Sequence, residues 1–205
     1  MSEGLVLLSG GLDSSTLACN LARNGSRIEG IFVDYGQSMA IAEMRAAKFV
    51  ASWAGFNLKI IKSPLDKSLA VGCLFENRPR KWETNFVSFL PQRNMFLLTI
   101  AAMYAQQKNI KNIYIGVIKT SATPFPDTTV DFFEAAQKAL RKSYPGLTIH
   151  YPFINMDKAS IVSLANKIGL PIDATFSCEM AADHHCMQCP SCIDRYWAMR
   201  CKIND

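Results

Sequence analysis

Short apolar runs alternate with longer amphipathic stretches along this chain. Leu5-Val6-Leu7-Leu8 predicts a strand that stops at Ser9-Gly10-Gly11, and residues 14–23 then have helical composition. Ile28 to Val33 predicts a second strand, ending at Asp34-Tyr35-Gly36-Gln37. The alanine-rich stretch 40–54 predicts a helix, and Asn57 to Ile61 a third strand. Pro64 to Glu83 carries weaker signals and reads as a mobile connection. Its basic patch Arg78-Pro79-Arg80-Lys81 fits a solvated loop better than a ligand clamp. Arg93 to Gln107 predicts a helix apolar enough to lie buried, and Asn112 to Val117 a fourth strand. Residues 130–142 predict a helix and 147–151 a short fifth strand. A last helix spans 157–168, with Asp157 as its N-cap and Gly169 just past its end. Short strands alternating with helices of about 10–15 residues predict an α/β fold built on parallel pairing. The expected architecture is an open, mostly parallel five-stranded sheet with helices on both faces. Residues 1–172 would form this unit and 173–205 a small cysteine-bearing segment.

Composition narrows the field. A chain of 205 residues, 49% hydrophobic and 19% charged, fits one domain and excludes disorder, collagen and coiled coil. The net charge of +5 comes from scattered basic residues. That allows an anionic ligand without the concentrated basic face of a nucleic-acid binder. No window is long and apolar enough for a membrane span, and the start of the chain lacks the basic region of a signal peptide. Seven cysteines without an export signal point to metal binding in a reducing, cytoplasmic compartment.

Ser9-Gly10-Gly11-Leu12-Asp13-Ser14-Ser15 joins a strand to a helix. Adjacent glycines let backbone N–H groups approach an anion, and the helix start adds unpaired N–H groups and the positive end of its dipole. The ending is not that of a Walker loop, nor is the spacing G-x-G-x-x-G. Ser-Gly-Gly-x-Asp-Ser after the first strand resembles the PP-loop ATP pyrophosphatases, which cleave ATP between its α and β phosphates. The resemblance implies adenylation of a carbonyl or carboxyl oxygen, with Asp13 helping to hold Mg²⁺, since a hard cation takes carboxylate oxygen.

Cys178, Cys186, Cys189 and Cys192 form a dense four-thiolate set. Such a set suits a closed, structural zinc site, with an iron–sulfur cluster or free thiols as alternatives. His184 and His185 lie inside the loop and are expected in solvent, while Cys19, Cys73 and Cys201 read as packing or surface residues.

The glycine turn, Asp34 to Gln37 and the cysteine set together resemble the 7-cyano-7-deazaguanine synthase family. Further matches are Phe89-Leu90-Pro91-Gln92-Arg93-Asn94, Gly116-Val117, Pro126-Asp127, and Pro152 through Asp157-Lys158. The resemblance implies adenylation of 7-carboxy-7-deazaguanine, attack of ammonia to give the amide, and a second ATP-driven step to the nitrile. It implies an ATP site along Leu8, Ser9, Gly10, Gly11, Leu12, Asp13, Ser14, Ser15, Thr16, Leu17 and Ala18. Arg93 and Lys158 would meet phosphate charge; the plainer alternative is a solvated charge at a helix start. Gln37 and Asn94 would contact the base, and Tyr35 or Phe125 would stack on it or lie in the core. Asp127 has two open readings, acceptor for the guanine-like edge or turn residue after Pro126. A homodimer is also implied.

The chain departs from the family's common residues at Gln92, where glycine is usual, and at Lys119 and Ser121, where acids are usual. Thr123 to Thr128 also replaces a Ser-Gly-Tyr-Pro-Asp-Cys run. These changes touch the acceptor and end point. Some divergent, defence-associated relatives stop at an amide and join the acid to an amine of a protein. Two rival readings are a PP-loop tRNA-modifying enzyme such as a thiolase, and a catalytically silent nucleotide-binding module.

Overall fold

The computed structural model describes residues 3–69, 71–72, 75, 88–119, 125–180 and 183–201. The chain runs β1 (Gly4–Leu7), α1 (Leu12–Arg23), β2 (Ile28–Asp34), α2 (Ala40–Ala54) and β3 (Asn57–Lys62). It continues with β4 (Val71–Gly72), β5 (Ser88–Phe89), α3 (Arg93–Lys108), β6 (Asn112–Ile115), α4 (Val130–Ser143), β7 (Thr148–His150), α5 (Lys158–Lys167) and α6 (Pro190–Arg200). Five strands form one sheet in the order β3-β2-β1-β6-β7, every neighbouring pair parallel.

Alternation along the buried strands divides the core between the two faces. Leu5, Leu7, Ile31, Val33, Ile113 and Ile115 pack with Leu98 of α3 and Phe133 of α4. Val6, Leu8 and Phe32 pack with Leu17 of α1, Val50 of α2 and Ile161 of α5. Each fully buried Leu, Ile or Phe contributes about 1.5–3 kcal/mol, so these two layers supply most of the drive to fold. β1 is flanked by β2 on one side and β6 on the other, so the strand order reverses there. A crevice opens at such a switch point, outside the carboxyl ends of the strands, and open α/β sheets bind ligands in it.

Several boundaries differ from expectation. α1 starts at Leu12, because Gly11 already serves as its extended N-cap, and Asp13 then lies in the favourable first turn. β1 ends at Leu7, although the Leu8 N–H still donates to the Ile31 carbonyl at 2.9 Å. β6 stops at Ile115 rather than Val117, because Ile115 is in register with Leu7, where β1 ends, and β7 has already ended opposite Tyr114. α3 is buried on one face only. Leu98, Ala101, Ala102 and Ala105 let it approach the sheet closely, and Met103 points outward, 65% exposed. Part of the stretch read as a mobile connection is ordered, with a 3₁₀ turn at Lys67–Leu69 and β4 paired antiparallel with β5. Cys73, the 78–81 patch, Ser121, Thr123 and Pro124 lie outside the described residues. Asp157 caps α5 as expected, accepting from the Ser160 N–H at 2.8 Å, and Gly169 follows with φ of +67°.

Gln92 explains one departure from the family. It sits before α3 with φ of +60°, where the Arg93 N–H closes a turn onto the Leu90 carbonyl at 3.2 Å. The left-handed conformation costs a residue with a Cβ about 1–2 kcal/mol, whereas glycine adds only about 0.4–1 kcal/mol of freedom to the unfolded chain. Gln92→Gly is therefore expected to raise the melting temperature by about 1–4 °C in calorimetry.

Candidate active site and metal centre

The glycine turn lies at the carboxyl end of β1 and is shaped by two close approaches. Gly10 has φ of +81°, and a Cβ there would sit 2.3 Å from the Glu43 carbonyl of α2. Gly116, just after β6, meets the other side of the turn: its Cβ would lie 2.9 Å from the backbone N and Cα of Ser14. Neither position admits a side chain. Between them the Ser9 and Ser14 hydroxyls bond to each other at 2.9 Å, and Ser14 Oγ also accepts from the Ser9 N–H at 3.2 Å. Ser9 is exposed and Gly11 partly so, while Leu8, Leu12, Ser15, Thr16, Leu17 and Ala18 are buried. Of the predicted nucleotide stretch, Ser9, Gly11 and Asp13 keep surface toward solvent.

Asp13, in the first turn of α1, forms a bidentate pair with Lys158 at the start of α5, at 2.7 and 2.8 Å. Both side chains are a little over one-fifth exposed, at 23% and 22%. Residues 145 apart in sequence thus meet beside the turn. The neighbouring backbone is tied down, as the Lys119 N–H donates to the Met156 carbonyl at 2.9 Å. Lys119 itself is exposed.

A second polar group forms beyond the end of β2. The Tyr35 ring is buried in the core, edge-on to Phe75 and Phe96, and its hydroxyl is hydrogen-bonded to Arg93. Burial pushes the Tyr35 phenol up to about 12, with Arg93 opposing. Gln37 is buried, accepting from the Tyr35 N–H at 2.9 Å and donating to Glu43 Oε2 at 2.8 Å. Burial raises the Glu43 carboxyl above the usual range, opposed by the Gln37 bond and the Arg93 charge. Asn94 and Asp127 are bound to each other. The Asn94 N–H donates to Asp127 Oδ2 at 3.1 Å, and its Nδ2 to the Asp127 carbonyl at 2.7 Å. Asp127 also lies in a 3₁₀ turn after Pro126, as the turn reading anticipated. Phe125 is half-buried, its carbonyl held by Thr128. Sequence reasoning passed over Glu43, the lone acid of α2, and Glu179, next to a cysteine.

The four cysteines come together, their sulfurs all within 4.8 Å of one another. Tetrahedral zinc with Zn–S bonds of about 2.3 Å sets its sulfurs roughly 3.8 Å apart, so small shifts would close this set around an ion. Backbone N–H groups of Met180, Gln188, Cys189 and Cys192 point at the sulfurs at 3.3–3.4 Å, a field that favours thiolate charge. Cys178, Cys189 and Cys192 pack on Met39, Ala42 and Ala46 of the α2 region. His184 is exposed as expected, paired with Asp183. His185 is not: it is half-buried against Phe176, and its Nε2 accepts from the Ser177 N–H at 3.3 Å, which uses the lone pair a metal would need. Arg195 of α6 is buried and bonds Thr175 and the Ile172 carbonyl at 2.7 and 2.6 Å. The Phe176 N–H then reaches the Gly10 carbonyl at 2.9 Å. The cysteine segment therefore braces the glycine turn directly.

Comparisons with known proteins show the family and the fold. The family model described as queuosine biosynthesis protein QueC matches residues 3–202. The 7-cyano-7-deazaguanine synthase of Aquifex aeolicus is 32% identical, over 96% of this chain and 95% of its own length. That of Archaeoglobus fulgidus is also 32% identical, over 94% of this chain and 84% of its own. Among solved structures, the NH3-dependent NAD synthetase of Campylobacter jejuni superposes with a TM-score of 0.52 at 20% identity. The superposition covers 83% of this chain and 66% of that one, and shows the shared fold.

Proposed function

Because the chain belongs to the queuosine biosynthesis protein QueC family, we propose that it is an ATP-dependent 7-cyano-7-deazaguanine synthase. The carboxylate of 7-carboxy-7-deazaguanine attacks the α-phosphorus of ATP and displaces pyrophosphate. Ammonia then attacks the acyl adenylate, AMP leaves, and the amide forms with loss of a proton. The amide oxygen attacks a second ATP and displaces pyrophosphate, and loss of AMP and both amide protons leaves the nitrile. Carboxylates and amides have poor leaving groups, so positioning and charge neutralisation around the phosphates are the protein's main tasks.

The observation that carries this reading is the Asp13–Lys158 pair beside the Gly10-Gly11 turn, at the switch point of the sheet. The turn and the start of α1 present N–H groups to phosphate oxygens. Lys158 and Arg93 neutralise phosphate charge, and Asp13, an accessible carboxylate, would hold Mg²⁺, which supplies further charge neutralisation when bound. Gln37, Asn94, Phe125, Asp127 and the Tyr35 hydroxyl form the wall against the base. The four cysteines would hold zinc, whose chemistry is structural, since no ligand position stays open. Residues 1–172 act as the ATP-binding unit and 173–205 as its metal-bound brace. We place the enzyme in the cytoplasm as a homodimer; no described helix is long and apolar enough to cross a membrane.

A thiolase-type reading is disfavoured by the remaining described thiols. Cys19 is buried, its pKa pushed up to about 12 by desolvation, and Cys201 is exposed. Incubation with ATP, Mg²⁺, the deazaguanine acid and ammonia is expected to release AMP and pyrophosphate, with the nitrile identified by mass spectrometry. ADP as the nucleotide product would overturn the reading. Accumulation of amide, or transfer to a protein amine, would move the chain to its divergent relatives.

A further inference from the structure

The residues after the 3₁₀ turn Ile172–Ala174 belong to neither sheet, yet they lie against the glycine turn. Thr175 is extended, with φ of −86° and ψ of 151°. Its hydroxyl and that of Ser177 both accept from one atom, Nη1 of Arg195 on α6, at 2.7 and 3.4 Å. Nη2 of the same guanidinium donates to the Ile172 carbonyl at 2.6 Å. Arg195 is buried, and these three acceptors are all uncharged oxygens. Between the two hydroxyl-bearing residues, the Phe176 N–H donates to the Gly10 carbonyl at 2.9 Å. The Phe176 carbonyl faces Gly11, 3.7 Å from where a Cβ would stand.

We infer that Arg195 is a positioning residue, which through Thr175 and Ser177 fixes the Gly10–Gly11 peptide so that the Gly11 N–H faces the phosphates. This rests on the reading above, in which the turn presents N–H groups to phosphate oxygens. In a trans peptide the carbonyl and the following N–H point in opposite directions, and every peptide among the described residues is trans. With the Gly10 oxygen held by Phe176, the Gly11 N–H is turned the other way, toward the exposed Ser9 Oγ at 3.3 Å. A peptide between two glycines meets no Cβ on either side and turns over at small steric cost. Turned over, it would offer the phosphates a carbonyl oxygen, which repels them. The local sequence leaves that choice open, and the contact from Phe176 makes it. A neutral side chain at position 195 would be buried at less cost. What the guanidinium adds is a rigid planar fork that holds both flanks of Phe176 and the Ile172 carbonyl at once, which a single ammonium nitrogen does not reproduce.

The test is Arg195→Lys, which keeps the buried charge and loses the fork, beside Thr175→Val, which keeps the shape and loses one acceptor. In protein carrying isotope-labelled glycine nitrogen, the Gly11 amide resonance, assigned through Gly11→Ala, should shift in both variants. Affinity for α,β-methylene ATP, measured by calorimetry, should fall about tenfold in Arg195→Lys, the worth of one hydrogen bond to a charged group, and by less in Thr175→Val. Adenosine, which has no phosphates, should keep its affinity. The two substitutions together should cost little more than Arg195→Lys alone, because they break one shared contact. An unmoved Gly11 resonance, full analogue affinity in Arg195→Lys, or an equal loss for adenosine would overturn the inference. Should Arg195→Lys fail to fold, Thr175→Val decides by the same readouts. Neither the resonance nor analogue binding needs turnover. If the unaltered protein binds the analogue yet makes no nitrile, the proposed reaction fails while the role of Arg195 is still measured.

Discussion

Asp13→Asn should abolish synthesis of the nitrile while leaving the protein folded. The side chain stands in the first turn of α1 and pairs with Lys158 at 2.7 Å, both groups partly exposed. A pair so open to water contributes on the order of 0–1 kcal/mol to stability. The melting temperature is therefore expected to move by no more than about 2–4 °C. Catalysis responds on another scale. The isosteric amide keeps the shape but removes the charge that would hold Mg²⁺ and orient Lys158 beside the phosphates. Losing one preorganised charge-stabilising group typically costs about 100- to 1000-fold in rate, and loss of the metal adds to it. A decrease in kcat/KM of about a thousandfold or more is the expected result, read as AMP release under saturating acid. A variant within tenfold of the unaltered enzyme would remove Asp13 from the metal and phosphate machinery.

The second large effect belongs to the cysteine segment. Cys189 is fully buried, caps α6 by accepting from the Cys192 N–H, and packs on α2. Binding of structural zinc to such a set is also folding free energy, with about 10–16 kcal/mol measured in small zinc domains. Here much of that is shared with contacts that survive, notably Arg195 on Thr175 and Ile172. A loss of several kcal/mol is left, and Cys189→Ser should lower the melting temperature by roughly 10 °C or more, with loss of the bound zinc. Activity should fall as well, because Phe176 of this segment holds the Gly10 carbonyl of the glycine turn. Full metal content with unchanged melting would show that the four thiols do not form a structural site.

How much of this was legible differs from element to element. The five strands were readable because short runs such as Leu5 to Leu8 and Ile28 to Val33 cannot stay in water, and α5 was readable because Asp157 caps it and Gly169 follows its end. The glycine turn was readable because its requirements are local: a positive φ and close backbone packing admit only a small residue. α6 was not read, although Pro190 after Cys189 fits the first-turn preference of proline, because Pro190 to Arg200 mixes apolar and charged residues with little periodicity. The turn at Asp127 was foreseen as one of two readings, but its bond to Asn94, 33 residues away, was not.

Composition and local spacing determined the fold class, the glycine turn and the four thiols, since each depends on neighbours within one or two turns of chain. Tertiary packing decided the rest. It paired Asp13 with Lys158, joined Asn94 to Asp127, enclosed the Tyr35 ring beside Arg93 and drew His185 into the segment. Those contacts join residues whose separation in sequence carries no signal. They exist only because a parallel sheet collects the ends of distant strands along one edge.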